Sequence, residues 1–330
     1  MPEPAVTHVP LSSTALPPLD QTTSPWPGAM EQVAGGKLHV RRVDSDGEAT
    51  VVYVHGLGGS STNWTDLSTQ LAPFARGIAV DLPGFGFSEP PPGFDFRLAS
   101  HAELLAEFIS GLGEGPVHLL GNSMGGAICL LFAAKHPELV RTLTLISPAM
   151  PDRRPDPRRL ADPRMALAYL PFVGPGVRRQ LAALGPRERA AQVIKLCFAD
   201  PSAFPEQRLG ELADEHGARA EFAWAAPALA QSMFGVFRTW FARGAESLWA
   251  VAPAVRVPSL VVWGERDRVI SVRRAPRTAR LLGDARLLVL PKTGHVAQME
   301  RPVTVAKAVL GMWESVENGT WQASRPSVRG

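Results

Sequence analysis

Beyond about residue 30 the chain alternates two textures. KLHVRRV, TVVYVHG, GIAVDLPG, VHLLG, TLTLIS, SLVVWG and ARLLVL are short runs, mostly apolar and rich in Val, Leu and Ile, as strands buried on both faces are. Between them, Ala99 to Leu112 and Met124 to His136 carry apolar residues at helical spacing. This alternation predicts an α/β fold, a mostly parallel sheet with helices on both faces. It stops after Ser147. From Pro148 to Pro253 no comparable strand run occurs, and ELADEHGARAEFAWAAPALAQSMFGVFRTWFARG repeats every three or four residues, so residues 148–253 read as a helical insertion. The insertion opens with a proline-punctuated loop, PAMPDRRPDPRRLADP, whose charges fit a solvated face. The sheet domain is then residues 30–147 and 254–317.

Both ends lack a pattern. Residues 1–29 hold seven prolines among Ser and Thr and read as an irregular tail, and residues 318–330 read as a polar tail. At 330 residues, 45% apolar and 20% charged, the chain has the composition and length for a sizeable core. A net charge of +3, with few lysines among the basic residues, argues against a nucleic-acid surface. The two cysteines, Cys129 and Cys197, do not make a disulfide framework. No run reaches the roughly 18 apolar residues of a membrane span, and no export signal opens the chain, so a soluble, cytoplasmic protein is expected. Nothing in the pattern bears on oligomeric state.

Chemistry concentrates at the ends of the strand runs. Gly121-Asn122-Ser123-Met124-Gly125 fits G-x-S-x-G between a strand and a helix. A sharp strand-to-helix turn crowds the neighbours of the serine, which explains the glycines, and the helix N-terminus points N–H groups at charge forming beside Ser123. A serine needs a base and the base an orienting partner. Asp267 follows SLVVWG, and His295 follows ARLLVL, in the order serine, acid, histidine. Glu265 is the alternative acid. Two backbone N–H groups, of Leu57 in HGLGG and of Met124, are the candidate oxyanion donors. His55 leaves a strand directly into that glycine-rich loop and reads as structural, and Asp81 in DLPGFGFS, which precedes the serine, reads as the anchor of its Pro-Gly turn. GLGG lacks the following G-K-[ST] of a phosphate loop.

HGLGG…W, DLPGFGFS, GNSMGG, WGERDRV and GHVAQMERP stand in the order of the α/β-hydrolase superfamily, which the chain resembles over about residues 31 to 316. The resemblance implies a sheet of about eight strands, with the insertion as a helical cap over a pocket above Ser123. It also implies an esterase- or lipase-like branch. Haloalkane dehalogenases and epoxide hydrolases carry Asp at the elbow, where this chain has Ser123. GNSMGG and GHVAQMERP further resemble the meta-cleavage-product hydrolases, which cut C–C bonds, although those relatives usually carry an aromatic residue where this chain has Val296.

The expected activity is hydrolysis of a carboxylic ester through an acyl-enzyme, with no metal or organic cofactor. C–C bond, thioester or lactone hydrolysis by the same residues is the alternative, and a non-catalytic binding module the last one. Phe222, Trp224, Met233 and Phe241 make the cap aromatic, and Phe234, Phe237 and Trp240, with Val296, are the candidate pocket residues for an apolar acyl or aromatic ester. Contact of the cap with a lipid surface is kept as an alternative use of these side chains.

Overall fold

The computed structural model describes residues 8–33, 35–152 and 184–321. Its strands are β1 (Gly28–Val33), β2 (Gly36–Val43), β3 (Ala49–Val54), β4 (Ala75–Val80), β5 (Val117–Asn122), β6 (Val140–Ile146), β7 (Ser259–Gly264) and β8 (Ala285–Leu290). They form one sheet in the order β1-β2-β4-β3-β5-β6-β7-β8. The β1–β2 and β2–β4 pairs are antiparallel and every other pair is parallel. Parallel strands send their carboxyl ends to one edge, where sites of such sheets assemble.

The helices are α1 (Thr65–Leu71), α2 (Leu98–Leu112), α3 (Met124–Lys135), α4 (Pro186–Cys197), α5 (Glu206–Ala220), α6 (Ala225–Phe241), α7 (Leu248–Val251), α8 (Ala275–Leu281), α9 (Ala297–Glu300) and α10 (Pro302–Glu317). Period-two alternation along the strands feeds two cores. Val52, Val54, Leu119, Val261 and Trp263 pack with α2, α3 and α8, whereas Val51, Tyr53, Leu120, Leu260 and Val262 pack with α1 and α10. All ten are buried, which is why these runs read as continuously apolar. Between β6 and β7 the described residues hold helices and no strand, and α4 and α5 share a small core of Ala190, Ile194, Phe198, Leu212 and Ala213.

Three features differ from the sequence reading. β1 starts at Gly28, inside the expected tail, and escapes notice because Val33 is its one buried residue. Residues 8–27 form no helix or strand, and they are tied down: Ser12 N donates to Lys307 O at 2.9 Å and Ser12 Oγ to Glu314 Oε1 at 2.5 Å. Gly311 makes room for this strap, since a Cβ there would stand 2.2 Å from Pro10 O. Trp321, assigned to a polar tail, is buried, with the Arg286 guanidinium 4.5 Å from its ring centre; an apolar ring beside α10 gains more from burial than a free tail allows. The remaining tail residues, 1–7 and 322–330, and most of the PAMPDRRPDPRRLADP loop lie outside the described residues. Among the described residues no helix is long and apolar enough to cross a membrane.

Candidate active site

Ser123 joins β5 to α3 with φ 55° and ψ −117°, a backbone conformation that costs a non-glycine residue about 1–3 kcal/mol. Packing holds it there. Ser123 N donates to Ile146 O at 3.0 Å, and Ser123 O accepts from Ala149 N at 2.8 Å. The flanking glycines are sterically required: a Cβ at Gly121 would stand 2.6 Å from Cys129 Sγ, and one at Gly125 2.3 Å from Val54 O.

Asp267 and His295 meet beyond β7 and β8. His295 Nδ1 lies 2.8 Å from Asp267 Oδ2, with both side chains buried. Asp267 Oδ1 already accepts from Val269 N at 2.8 Å and Ile270 N at 2.9 Å, so the carboxylate is fixed and its other oxygen accepts the hydrogen bond from Nδ1–H. That tautomer leaves Nε2 as an acceptor. Glu265 is exposed and accepts from Lys292 N at 3.2 Å instead. Asn122 links the elbow to the histidine, its Nδ2 donating to His295 O at 3.2 Å and to Ile146 O at 3.1 Å.

The turn carrying Leu57 runs against the serine, because a Cβ at Gly56 would be 3.0 Å from Ser123 Cβ. Gly59 N closes it onto Gly56 O at 3.1 Å, with Gly58 at φ +76°. His55 braces it: Nδ1 donates to Gly56 O at 2.7 Å and Nε2 accepts from Leu82 N at 3.0 Å. Both ring nitrogens are thereby committed, and burial lowers the His55 pKa to about 4, which keeps the ring neutral. Asp81 accepts from Ser61 N at 2.6 Å, Phe87 N at 3.0 Å and His39 Nδ1 at 2.7 Å. Burial pushes its pKa up, but the His39 hydrogen bond and the other donors outweigh this and hold it below the usual carboxylate range. It is a buried anchor for the loops on either side.

Contacts that sequence patterns did not reveal complete the surroundings. His295 N donates to Cys197 O at 2.7 Å, at the end of α4. Glu300 Oε2 accepts from Gly294 N at 2.6 Å, and Oε1 from Ala199 N at 3.1 Å, joining the histidine loop to the segment after α4. From α5, Glu215 accepts from Ser60 Oγ at 2.7 Å and Thr62 Oγ1 at 3.0 Å, and Arg219 Nη1 donates to Gly58 O at 3.2 Å. Burial, with Asp81 nearby, raises the Glu215 pKa, and burial lowers that of Arg219. The available signal was Arg208, Glu215 and Arg219 standing on the buried face of α5 beside Leu212. Burial, with a further push from Asp267, raises the Cys197 thiol to about 12, which keeps it from competing as a nucleophile.

The candidate pocket residues fall on different faces of α6 and its surroundings. The buried face of α6 is Ala228, Ser232 and Gly235, and it packs close: a Cβ at Gly235 would be 2.5 Å from Phe96 O. Phe234 and Phe237 are on the opposite face, 69% and 45% exposed. Trp240 does turn inward, its Nε1 donating to Ala149 O at 2.9 Å, and Val296 packs against the small core of α4 and α5. Leu229 shares the flank of Trp240 and approaches Gly58. Among the described residues no three His, Cys, Asp or Glu side chains gather as a metal site.

The family model for the alpha/beta hydrolase fold matches residues 49–302. The chain belongs to the α/β-hydrolase fold family. This α/β-hydrolase is 29% identical over 77% of its length to a dihydrolipoyllysine-residue acetyltransferase component of an acetoin cleaving system from Cupriavidus necator, and the match spans 61% of that protein. It is 28% identical to a 2-hydroxy-6-oxo-6-phenylhexa-2,4-dienoate hydrolase from Comamonas testosteroni, over 78% of this chain and 84% of that one. Among solved structures it is similar to a membrane phospholipase A described as a bacterial virulence factor, with a TM-score of 0.72 and 25% identity over 88% of this chain and 87% of that one.

Proposed function

We propose that this α/β-hydrolase is a serine hydrolase that cleaves carboxylic esters through an acyl-enzyme. The observation that carries the reading is the His295–Asp267 pair at 2.8 Å, tied through Asn122 to a serine held in a strained elbow. His295 Nε2 takes the Ser123 proton as Oγ attacks the ester carbonyl, and the N–H groups of Leu57 and Met124 hold the oxyanion. Collapse expels the alcohol, which leaves with the proton from His295. Water then attacks the acyl-enzyme by the same route, releasing the acid and restoring Ser123. Asp267 fixes the tautomer and stabilises the imidazolium. No metal or cofactor enters these steps.

The apolar flank of α6 that carries Leu229 and Trp240, together with Val296 beside His295, supports an apolar acyl or aromatic ester as the substrate class. Exposed Phe234 and Phe237 support contact of the cap with a lipid surface. Free Cys129 and Cys197 fit a cytoplasmic location. The test is hydrolysis of p-nitrophenyl esters from acetate to palmitate beside Ser123→Ala. Turnover that falls by several orders of magnitude in the variant is expected. Unchanged turnover in Ser123→Ala rejects the assignment. The relative that hydrolyses 2-hydroxy-6-oxo-6-phenylhexa-2,4-dienoate favours C–C cleavage as the second reading. Turnover of that compound, with no ester cleaved at any length, would select it.

A further inference from the structure

We propose that Arg219 and Glu215, on cap helix α5, are positioning residues that hold the turn carrying the Leu57 N–H in its oxyanion-binding orientation; this rests on the ester-hydrolase reading above. The turn Gly56-Leu57-Gly58-Gly59 has three glycines in four residues, so its own backbone does little to select one conformation. Its core side is fixed by His55 on Gly56 O and by Asp81 on Ser61 N. Its outer side is fixed by the cap. The Arg219 guanidinium donates to Gly58 O at 3.2 Å, lies 5.8 Å from the Phe85 ring centre and has Nη1 3.8 Å from Glu215 Oε1. Glu215 Oε2 accepts hydrogen bonds from the hydroxyls of Ser60 and Thr62 at 2.7 and 3.0 Å, directly after the turn.

Arg219 and Glu215 are 8% and 7% exposed, so water competes weakly for these groups. The Gly58 carbonyl adjoins the peptide that follows Leu57. Releasing it frees a glycine-rich segment to rotate, and the Leu57 N–H turns with it. A second cap contact isolates this role. Arg208, also on α5, pairs with Asp66 at 2.7 Å and with Glu211 at 2.8 Å, docking the same helix without touching the turn.

The experiment compares Arg219→Gln, Arg219→Lys, Glu215→Gln and Arg208→Gln in the full chain. It reads amide hydrogen exchange over residues 55–63, kcat and KM on p-nitrophenyl butyrate, and Tm. Arg219→Gln is expected to speed exchange at the turn about tenfold or more. It should lower kcat roughly 10- to 100-fold, the scale of a displaced oxyanion donor, with KM within about twofold. Arg219→Lys restores much of kcat because a cation still reaches Gly58 O, and its retained charge guards against loss of fold. Glu215→Gln keeps an acceptor for both hydroxyls and falls between them. Arg208→Gln leaves kcat within about twofold even where it lowers Tm. The proposal is overturned by unchanged exchange at the turn in Arg219→Gln, by a change in KM alone, or by a kcat loss that Arg208→Gln reproduces. A protein that cleaves no ester refutes the proposed function, and exchange at the turn still decides whether Arg219 holds it.

Discussion

Replacing Glu300 by Ala removes a carboxylate that joins the histidine loop to the segment after α4. Glu300 accepts from Gly294 N at 2.6 Å and from Ala199 N at 3.1 Å, and Gly294 is buried immediately before His295. A hydrogen bond to a charged acceptor contributes about 1.5–3 kcal/mol, and a buried N–H left unpaired costs about 1–3 kcal/mol. Glu300 is itself part-exposed, so water offsets some of the loss, and about 2–4 kcal/mol is expected. With an unfolding entropy of about 0.7 kcal/mol per degree for a chain this long, Tm falls by about 3–6 °C. Gly294 also leads into the His295 amide, which donates to Cys197 O at 2.7 Å, so a relaxed loop moves the imidazole and lowers kcat by about 10- to 100-fold. Glu300→Gln keeps one acceptor but turns an NH2 toward a backbone donor, and should lie between wild type and Ala. Scanning calorimetry with ester kinetics checks both. A Glu300→Ala protein with Tm within about 1 °C of wild type and unchanged kcat would refute the reasoning.

Two further outcomes are expected. Asp267→Asn should lower kcat by about 10³–10⁴-fold through the wrong histidine tautomer, while Glu265→Gln stays within about twofold, and the reverse ranking on any cleaved ester would move the acid to Glu265. Burial lowers His55 to about 4 and His101 and His118 to about 3, from 6.5. Each stays neutral when folded, whereas the unfolded chain takes up a proton below about pH 6.5, so their contribution is complete above that value and declines as pH falls toward the folded pKa. One such histidine gives up about 2 kcal/mol by about pH 5. His101, whose ring nitrogens have no hydrogen-bond partner among the described residues, is the one to replace. His101→Leu should flatten the fall of Tm between about pH 7.5 and pH 5 by about 3 °C, and an unchanged slope would count against the burial account.

Most of the sheet was legible because the buried parallel strands β3 to β7 are written as continuous apolar runs, and the runs quoted for β2 and β8 also lie on their strands. β1 was not, since an edge strand with one buried residue carries no period. Ser123, Asp267 and His295 were legible as a chain order at strand ends. What the sequence pattern could not supply is which way an amphipathic helix faces. α6 offers an aromatic face and a face of Ala228, Ser232 and Gly235, and hydrophobicity alone points the aromatic face inward. The structure buries the small residues because the helix must pass within contact of Phe96 O, a distance that no larger side chain at position 235 permits.

The same limit hid the part of the cap that matters most to the site. The helices between β6 and β7 meet the sheet domain through charge and backbone as well as apolar surface: Cys197 O on His295 N, Glu215 on two hydroxyls, Arg219 on Gly58 O. Such contacts leave no periodic trace in the sequence, and a buried charge contributes little net stability unless its partners are all in place. Their value lies in geometry. The loop with His295 and the turn with Leu57 leave different strands, and each is tied on its outer side to a different cap helix, α4 and α5. A cap displaced from these contacts would loosen both loops together while Ser123, fixed by β6 and its own glycines, kept its strained elbow. Under the ester-hydrolase reading, placement of α4 and α5 therefore governs the base and the oxyanion donor without moving the nucleophile, and variants that cut the contacts to the His295 loop or the Leu57 turn should lose kcat while Ser123 keeps its place.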